Sequence, residues 1–134
     1  MRLISDDTWG AINIWAEARS EPFDGQVAVG NVVRERMRLK YSSNGTVVGT
    51  IWRPKQFSWT LGSDPQRLWA LSLDDEHHAW ARAMEAWKES ASVYAVPPGT
   101  VLYHAEYVSP RWAENAEFVK QIGAHLFYKD PSHG

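Results

Sequence analysis

One stretch decides the fold of this chain: Ile14-Trp15-Ala16-Glu17-Ala18-Arg19-Ser20-Glu21-Pro22. Its apolar residues predict the end of a packed helix, and its proline predicts a corner, because the residue before a proline avoids the helical region. Glu17 then stands on the last helical turn and Glu21 at the corner. The apolar neighbours of Glu17 should raise its pKa, as a general acid near neutral pH requires. The alternative is a solvated charge cluster at a frayed helix end.

Helical patterns continue on both sides of this corner. Upstream, apolar residues recur at helical spacing from Trp9 to Ala16, after several possible capping residues in 5–7. Downstream, Pro22 can open a helix that stays apolar on more than one side through 27–37, which predicts a central, buried element. Its last charged residues predict an exit toward solvent; they are Arg34, Glu35, Arg36, Arg38 and Lys40.

The second half adds another helix and a small sheet. Residues 46–52 predict one or two helical turns, and the face formed by Trp80, Ala83, Met84, Trp87 and Ala91 predicts a longer helix. A turn at 97–99 precedes a predicted strand at 100–104, and a second strand is predicted at 124–128, after a polar, partly helical insert at 110–121. The fold class is α+β, predominantly α-helical with a small β-sheet.

Composition limits the possible functions. A chain of 134 residues fits a single domain over 1–134, and a net charge of −2 provides no basic surface for nucleic acid. The sequence has no cysteine, which excludes thiolate catalysis and cysteine-bound zinc. No apolar run is long enough for a membrane span or a signal peptide, so we expect a soluble protein, and we expect it to be a monomer. Eight tryptophans suit either core packing or stacking on sugars.

With thiolate and cysteine-bound zinc chemistry excluded, acid–base catalysis by a carboxylate remains the expected chemistry. Neither a Gly-x-Ser-x-Gly elbow nor a phosphate-binding glycine loop is present. Glu17, His104 and His125 could in principle share a metal, but their spacing matches no helical zinc motif, so we expect no metal and no cofactor. His125 alternates with apolar residues in the predicted strand, which favours a hydrogen-bonded cleft or core histidine.

Four motifs resemble those of the spore-cortex-lytic (SleB-like) cell wall hydrolase family. They are the run from Glu17 to Val33, the loop Gln56-Phe57-Ser58, the segment Tyr103-His104-Ala105 with Pro110 and Trp112, and the strand Ile122-Gly123-x-His125-x-Phe127-Tyr128. The order of the motifs and their spread over most of the chain make the resemblance specific.

The resemblance implies a lysozyme-like, lytic-transglycosylase-like fold that acts on the MurNAc-GlcNAc β-1,4 bond of bacterial peptidoglycan. It implies Glu17 as the catalytic acid. It also implies residues that hold the glycan or orient Glu17; these are Glu21, Gln56, Ser58, Tyr103, His104, Trp112 and His125. The aromatic and polar residues that alternate at 56–59 add Trp59 as a groove residue, unless its ring packs in the core. In a transglycosylase Glu17 acts alone and leaves 1,6-anhydro-muramic ends, whereas a hydrolytic muramidase needs a second carboxylate from Glu21, Asp24 or Asp64.

Other readings stay open. The chain could be a non-catalytic glycan-binding or virion module that uses its tryptophans for stacking, or a metal-dependent amidase or peptidase built on His104 and His125. The exported cortex enzymes carry a leader segment and often a second domain, and this chain shows neither. We therefore expect a bacteriophage endolysin, held in the host cytoplasm before its release to the wall, or a domain excised from a longer protein.

Overall fold

The computed structural model describes residues 4–52 and 77–133. In chain order the elements are α1 (Asp6–Ala18), α2 (Phe23–Leu39), α3 (Val47–Ile51), α4 (His77–Glu89), β1 (Thr100–Ala105), a 3-10 helix (Arg111–Asn115), β2 (Glu117–Ile122), β3 (His125–Lys129) and a short 3-10 helix (Pro131–His133). None of the helices in these ranges has the length and hydropathy to cross a bilayer. The predicted α+β class is confirmed.

The corner between α1 and α2 forms as the sequence predicts. Ser5 caps α1 by accepting a hydrogen bond from the Thr8 amide at 3.1 Å. Pro22 is the N-cap of α2 rather than a residue of its first turn. The buried Gln26 side chain donates from Nε2 to the carbonyls of Arg19 and Glu21, both at 3.4 Å, so α2 itself holds the corner closed.

The predicted exit of α2 into solvent is wrong at two positions. Glu35 and Arg36 are only 2% and 3% exposed. Their charges are tolerated because partners compensate them: Glu35 accepts hydrogen bonds from Arg38 and from the Gly99 amide, and Arg36 donates to the Val101 carbonyl. The end of α2 is therefore covered by the turn at 97–99 and by β1, both distant in sequence.

Helix α4 packs across α1 through Trp87. The Trp87 indole donates to Asp7 at 2.9 Å and lies directly over Gly10, where an added Cβ would come within 2.2 Å of the ring. The helix ends at Glu89, before the exposed Ala91 that the periodicity had included. It ends there because the buried Asn31 side chain binds the carbonyls of Ser90 and Val93, which turns the chain back over α2.

The sheet has three antiparallel strands in the order β1-β3-β2. Both predicted strands are present, as β1 and β3, but a third strand was missed: residues 117–122 form β2, which begins inside the segment predicted as a partly helical insert. Most of β2 is exposed, so it lacks the alternation of buried and exposed residues that identifies a strand in sequence. A two-residue turn, Gly123-Ala124, joins β2 to β3, and Gly123 has a φ of +56°.

The two faces of this sheet carry different side chains. Tyr103, His125 and Phe127 lie on the face that packs on the helices, with the Tyr103 ring 5.2 Å from that of His125. His104 and Tyr128 lie on the outer face, because neighbouring residues in a strand point to opposite sides. The sheet thus separates one set of aromatic residues on the side of the helices from another set that faces outward.

Candidate active site

Glu17 stands on the last turn of α1, as the sequence predicts. Its side chain is partly buried, and its Oε1 atom is fully buried. Two groups from other elements act on its carboxylate: the hydroxyl of Tyr103 from β1 and the guanidinium of Arg36 from α2. Residues of the neighbouring α2 and of the distant β1 therefore influence this acid, and it is partly buried, whereas a frayed, solvated helix end would leave it exposed.

Tyr103 is the phenol whose hydroxyl interacts with this carboxylate. Burial raises the pKa of Tyr103 well above its usual value, and the negative charge of Glu17 and a hydrogen bond to Glu17 act in the same direction, against the charge of Arg36. The hydroxyl therefore stays protonated at any working pH and can donate to the carboxylate. Such a bond orients Glu17 and favours its charged form.

Arg36 is a site residue that the sequence analysis missed. Its Nε donates to the Val101 carbonyl at 2.6 Å, and burial lowers its pKa while Tyr103, Tyr41 and Glu17 act to raise it. An arginine remains charged in such a setting. Its position was a usable signal, because Arg36 follows Val29, Val32 and Val33 at the i+7 place of the same helical face.

Glu21 and His125 meet on the other side of the corner. The Glu21 Oε1 atom accepts a hydrogen bond from the Ala124 amide at 2.7 Å and lies 3.9 Å from His125 Nδ1. His125 is 7% exposed, as expected for a cleft or core histidine. Burial lowers its pKa, the charge of Glu21 acts to raise it, and His104 acts to lower it further.

His104 and Trp112 do not join this group. The His104 Nε2 atom is 2.8 Å from the Tyr128 hydroxyl, and its Nδ1 is 2.8 Å from the Ala105 carbonyl. The Trp112 ring meets His104 and Tyr128 edge-on and is 36% exposed. Both residues lie on the outer face of the sheet, away from His125, so the structure does not bring His104, His125 and Glu17 together as metal ligands.

A cavity of about 430 Å³ lies beside Arg36 and Tyr103. Trp112, Asn115 and Asp130 also line it. Contacts within the protein hold the lining side chains in place: the Tyr41 hydroxyl donates to Asp130 at 2.7 Å, and the Trp112 ring packs edge-on against His104 and Tyr128. An aromatic wall beside hydroxyl, amide and carboxylate groups is the kind of surface that a sugar ring fits.

Several predicted site residues fall outside the part of the chain that the structure describes. They are Gln56, Ser58, Trp59 and the possible second acid Asp64. Within residues 4–52 and 77–133, no three His, Asp or Glu side chains are grouped so that they could hold a metal ion. Asp24, the other possible second acid, is exposed on the first turn of α2.

Comparison with known sequences gives relatives over most of the chain. A spore cortex-lytic enzyme of Oceanobacillus iheyensis is 32% identical over 118 residues, which are 87% of this chain and 38% of that protein. The spore cortex-lytic enzyme of Bacillus subtilis strain 168 is 30% identical over 115 residues, 85% of this chain and 34% of that protein. The chain thus spans well under half the length of these curated relatives.

Comparison with solved structures supports the fold. The catalytic domain of the germination-specific lytic transglycosylase SleB from Bacillus anthracis superposes with a TM-score of 0.70 at 24% identity, covering 92% of this chain and 93% of that one. The catalytic domain of the Bacillus cereus SleB protein gives 0.68 at 25% identity, covering 92% and 89%. The model of the cell wall hydrolase family matches residues 20–128. By this match the chain belongs to the cell wall hydrolase family.

Proposed function

We propose that this chain cleaves the β-1,4 bond between MurNAc and GlcNAc in peptidoglycan as a lytic transglycosylase, with Glu17 as its single general acid and base. The observation that carries the proposal is the placement of Glu17 at the end of α1, where Tyr103 and Arg36 act on its carboxylate. Family membership and the names of the relatives supply the substrate class.

The reaction needs one proton and one carboxylate. Glu17 gives its proton to the bridging oxygen as the bond from that oxygen to the anomeric carbon of MurNAc breaks. The resulting carboxylate then takes the proton of the 6-hydroxyl of the same MurNAc, whose oxygen bonds to the anomeric carbon and closes the 1,6-anhydro ring. Holding that hydroxyl in place replaces a second, water-activating acid. Tyr103 would keep the carboxylate oriented through both steps.

A digestion of purified cell walls tests this mechanism. Mass analysis of the products should show anhydro-muropeptides with the wild-type chain and a loss of at least about 100-fold in their rate of release with Glu17→Gln. Reducing muramic ends would instead establish the hydrolytic muramidase, with Glu21, Asp24 or Asp64 as second acid. Wall binding without release of fragments would establish the glycan-binding module, and full activity of Glu17→Gln would refute the assignment of the acid.

The biological setting is a separate proposal. We propose that the chain acts as a bacteriophage endolysin on growing cells; its relatives are spore cortex-lytic enzymes, so both kinds of wall belong in the test. Permeabilised vegetative cells and decoated spores would be treated with equal amounts of protein. Faster clearing of vegetative cells supports the endolysin, and activity restricted to spores contradicts it.

A further inference from the structure

The carboxylate of Glu21 holds a backbone group from the far end of the chain. Its Oε1 atom accepts a hydrogen bond from the Ala124 amide at 2.7 Å, although the two residues are 103 positions apart. Glu21 lies in the corner between α1 and α2, and Ala124 lies in the turn between β2 and β3. This bond therefore joins the helical corner to the hairpin.

The turn is shaped to admit the carboxylate. Gly123 adopts a φ of +56°, which favours glycine, and a Cβ at this position would be 2.3 Å from the Glu21 Oε1 atom and 2.8 Å from Pro22 Cδ. A catalytic second acid would need its oxygens directed at water or substrate. Here one of the two carboxylate oxygens, Oε1, is bound to the protein backbone instead.

The effect of this contact can reach Glu17 through packed side chains. His125 directly follows Ala124 and lies 3.9 Å from Glu21, and its ring is 5.2 Å from that of Tyr103. Tyr103 in turn acts on the Glu17 carboxylate. A shift of the hairpin would move His125 away from Tyr103 and loosen the group that orients the acid.

We propose that Glu21 is a positioning residue for the reaction rather than its second acid: by holding the Ala124 amide it seats the hairpin and His125 against Tyr103, and so orients Glu17. This rests on the proposed function. It leaves Glu17 as the carboxylate that exchanges protons with the glycan. It also gives Gly123 a role, since its missing side chain makes room for Glu21.

Three variants separate positioning from acid chemistry. Glu21→Gln keeps an oxygen that can accept the Ala124 amide, so its kcat should stay within about threefold of wild type. Glu21→Ala removes the acceptor, and kcat should fall about 10- to 100-fold with a smaller change in KM. Glu85→Gln, on the exposed side of α4, is the matched control for loss of a charge and should behave as wild type. A Glu21→Gln variant as inactive as Glu21→Ala overturns the proposal.

A second readout does not depend on activity. In a ¹H-¹⁵N correlation spectrum, the Ala124 amide proton should move upfield in Glu21→Ala, because it loses its acceptor, and should stay in place in Glu85→Gln. Gly123→Ala should displace the carboxylate, shift the same proton and lower kcat while Glu21 remains. If the chemical shift of the Ala124 amide proton is the same in Glu21→Ala as in the wild type, the proposal is overturned even when the enzyme is active. Failure of the wild type to release wall fragments refutes only the proposed function.

Discussion

Arg36 of α2 and Val101 of β1 are joined by a hydrogen bond of 2.6 Å from the guanidinium Nε to the carbonyl oxygen. Val101 lies two residues before Tyr103. The bond therefore fixes the position of β1 relative to α2 close to the residue whose hydroxyl interacts with Glu17. Arg36 is 3% exposed, so its charge is shielded from water. The same charge interacts with Glu17.

Replacing Arg36 should destabilise the fold and disturb the site together. Arg36→Met leaves the buried Val101 carbonyl without its donor and should cost about 2–3 kcal/mol in the free energy of unfolding. Denaturant unfolding measures this cost. Arg111→Met, at an exposed arginine of the first 3-10 helix, is the control and should stay within about 0.5 kcal/mol of wild type. An equal loss in both variants would contradict the role of the Val101 bond.

Tyr103→Phe should reduce catalysis while keeping the fold. The ring still packs on His125 and Phe127, but the Glu17 carboxylate loses a hydrogen-bond donor, so kcat should fall about 10- to 100-fold. The alkaline limb of the kcat/KM profile, where the protonated acid is lost, should move to higher pH, because a carboxylate that loses a donor holds its proton more tightly. Tyr107→Phe removes a hydroxyl from a residue that is 86% exposed and should change neither quantity. An unshifted alkaline limb in Tyr103→Phe would refute the contact.

His125 should lower the free energy of unfolding at acidic pH. Its pKa is lowered in the fold, chiefly by burial, so between that pKa and the ordinary value of 6.5 the unfolded chain binds a proton that the folded chain does not. The stability contributed by neutral His125 is thus complete above 6.5 and is lost as the pH falls toward the folded pKa. Unfolding free energies at several pH values should show this loss, and His125→Gln should reduce it. His78→Gln, at an exposed histidine, should leave the slope unchanged.

Trp112→Ala should weaken substrate binding more than chemistry. The ring forms one wall of the cavity and lies on the outer face of the sheet, away from His125. Loss of a stacking platform of this kind should raise KM about fivefold, on the order of 1 kcal/mol, and leave kcat nearly unchanged. Tyr94→Ala, at a 51% exposed ring outside this cavity, is the control. A fall in kcat with constant KM would argue against a binding role.

Local patterns were enough to predict the helical half of the site. The apolar spacing before Glu17 and the proline after Glu21 determine where α1 ends and where the chain turns, because both depend on residues within one or two helical turns. The same reasoning predicted the buried α2 and the strand that carries Tyr103. The residues that the family motifs single out at 56–58, with Trp59, remain predictions outside the described part of the chain.

The tertiary structure decided what the charges do. In the sequence, Glu35 and Arg36 look like a solvated helix end. In the fold, Gly99 and Val101, more than sixty residues further along the chain, bind and cover them. Strand β2 was missed because it pairs at an edge and buries little, and the sheet put His104 and Tyr103 on opposite sides although they are neighbours in sequence. The sequence alone left Glu21 as a possible second acid, and its contacts with the Ala124 amide and with His125 appear only in the folded chain. Sequence pattern fixes local geometry through short-range sterics and hydrophobic spacing, whereas the environment of a charge depends on which distant segments exclude water from it.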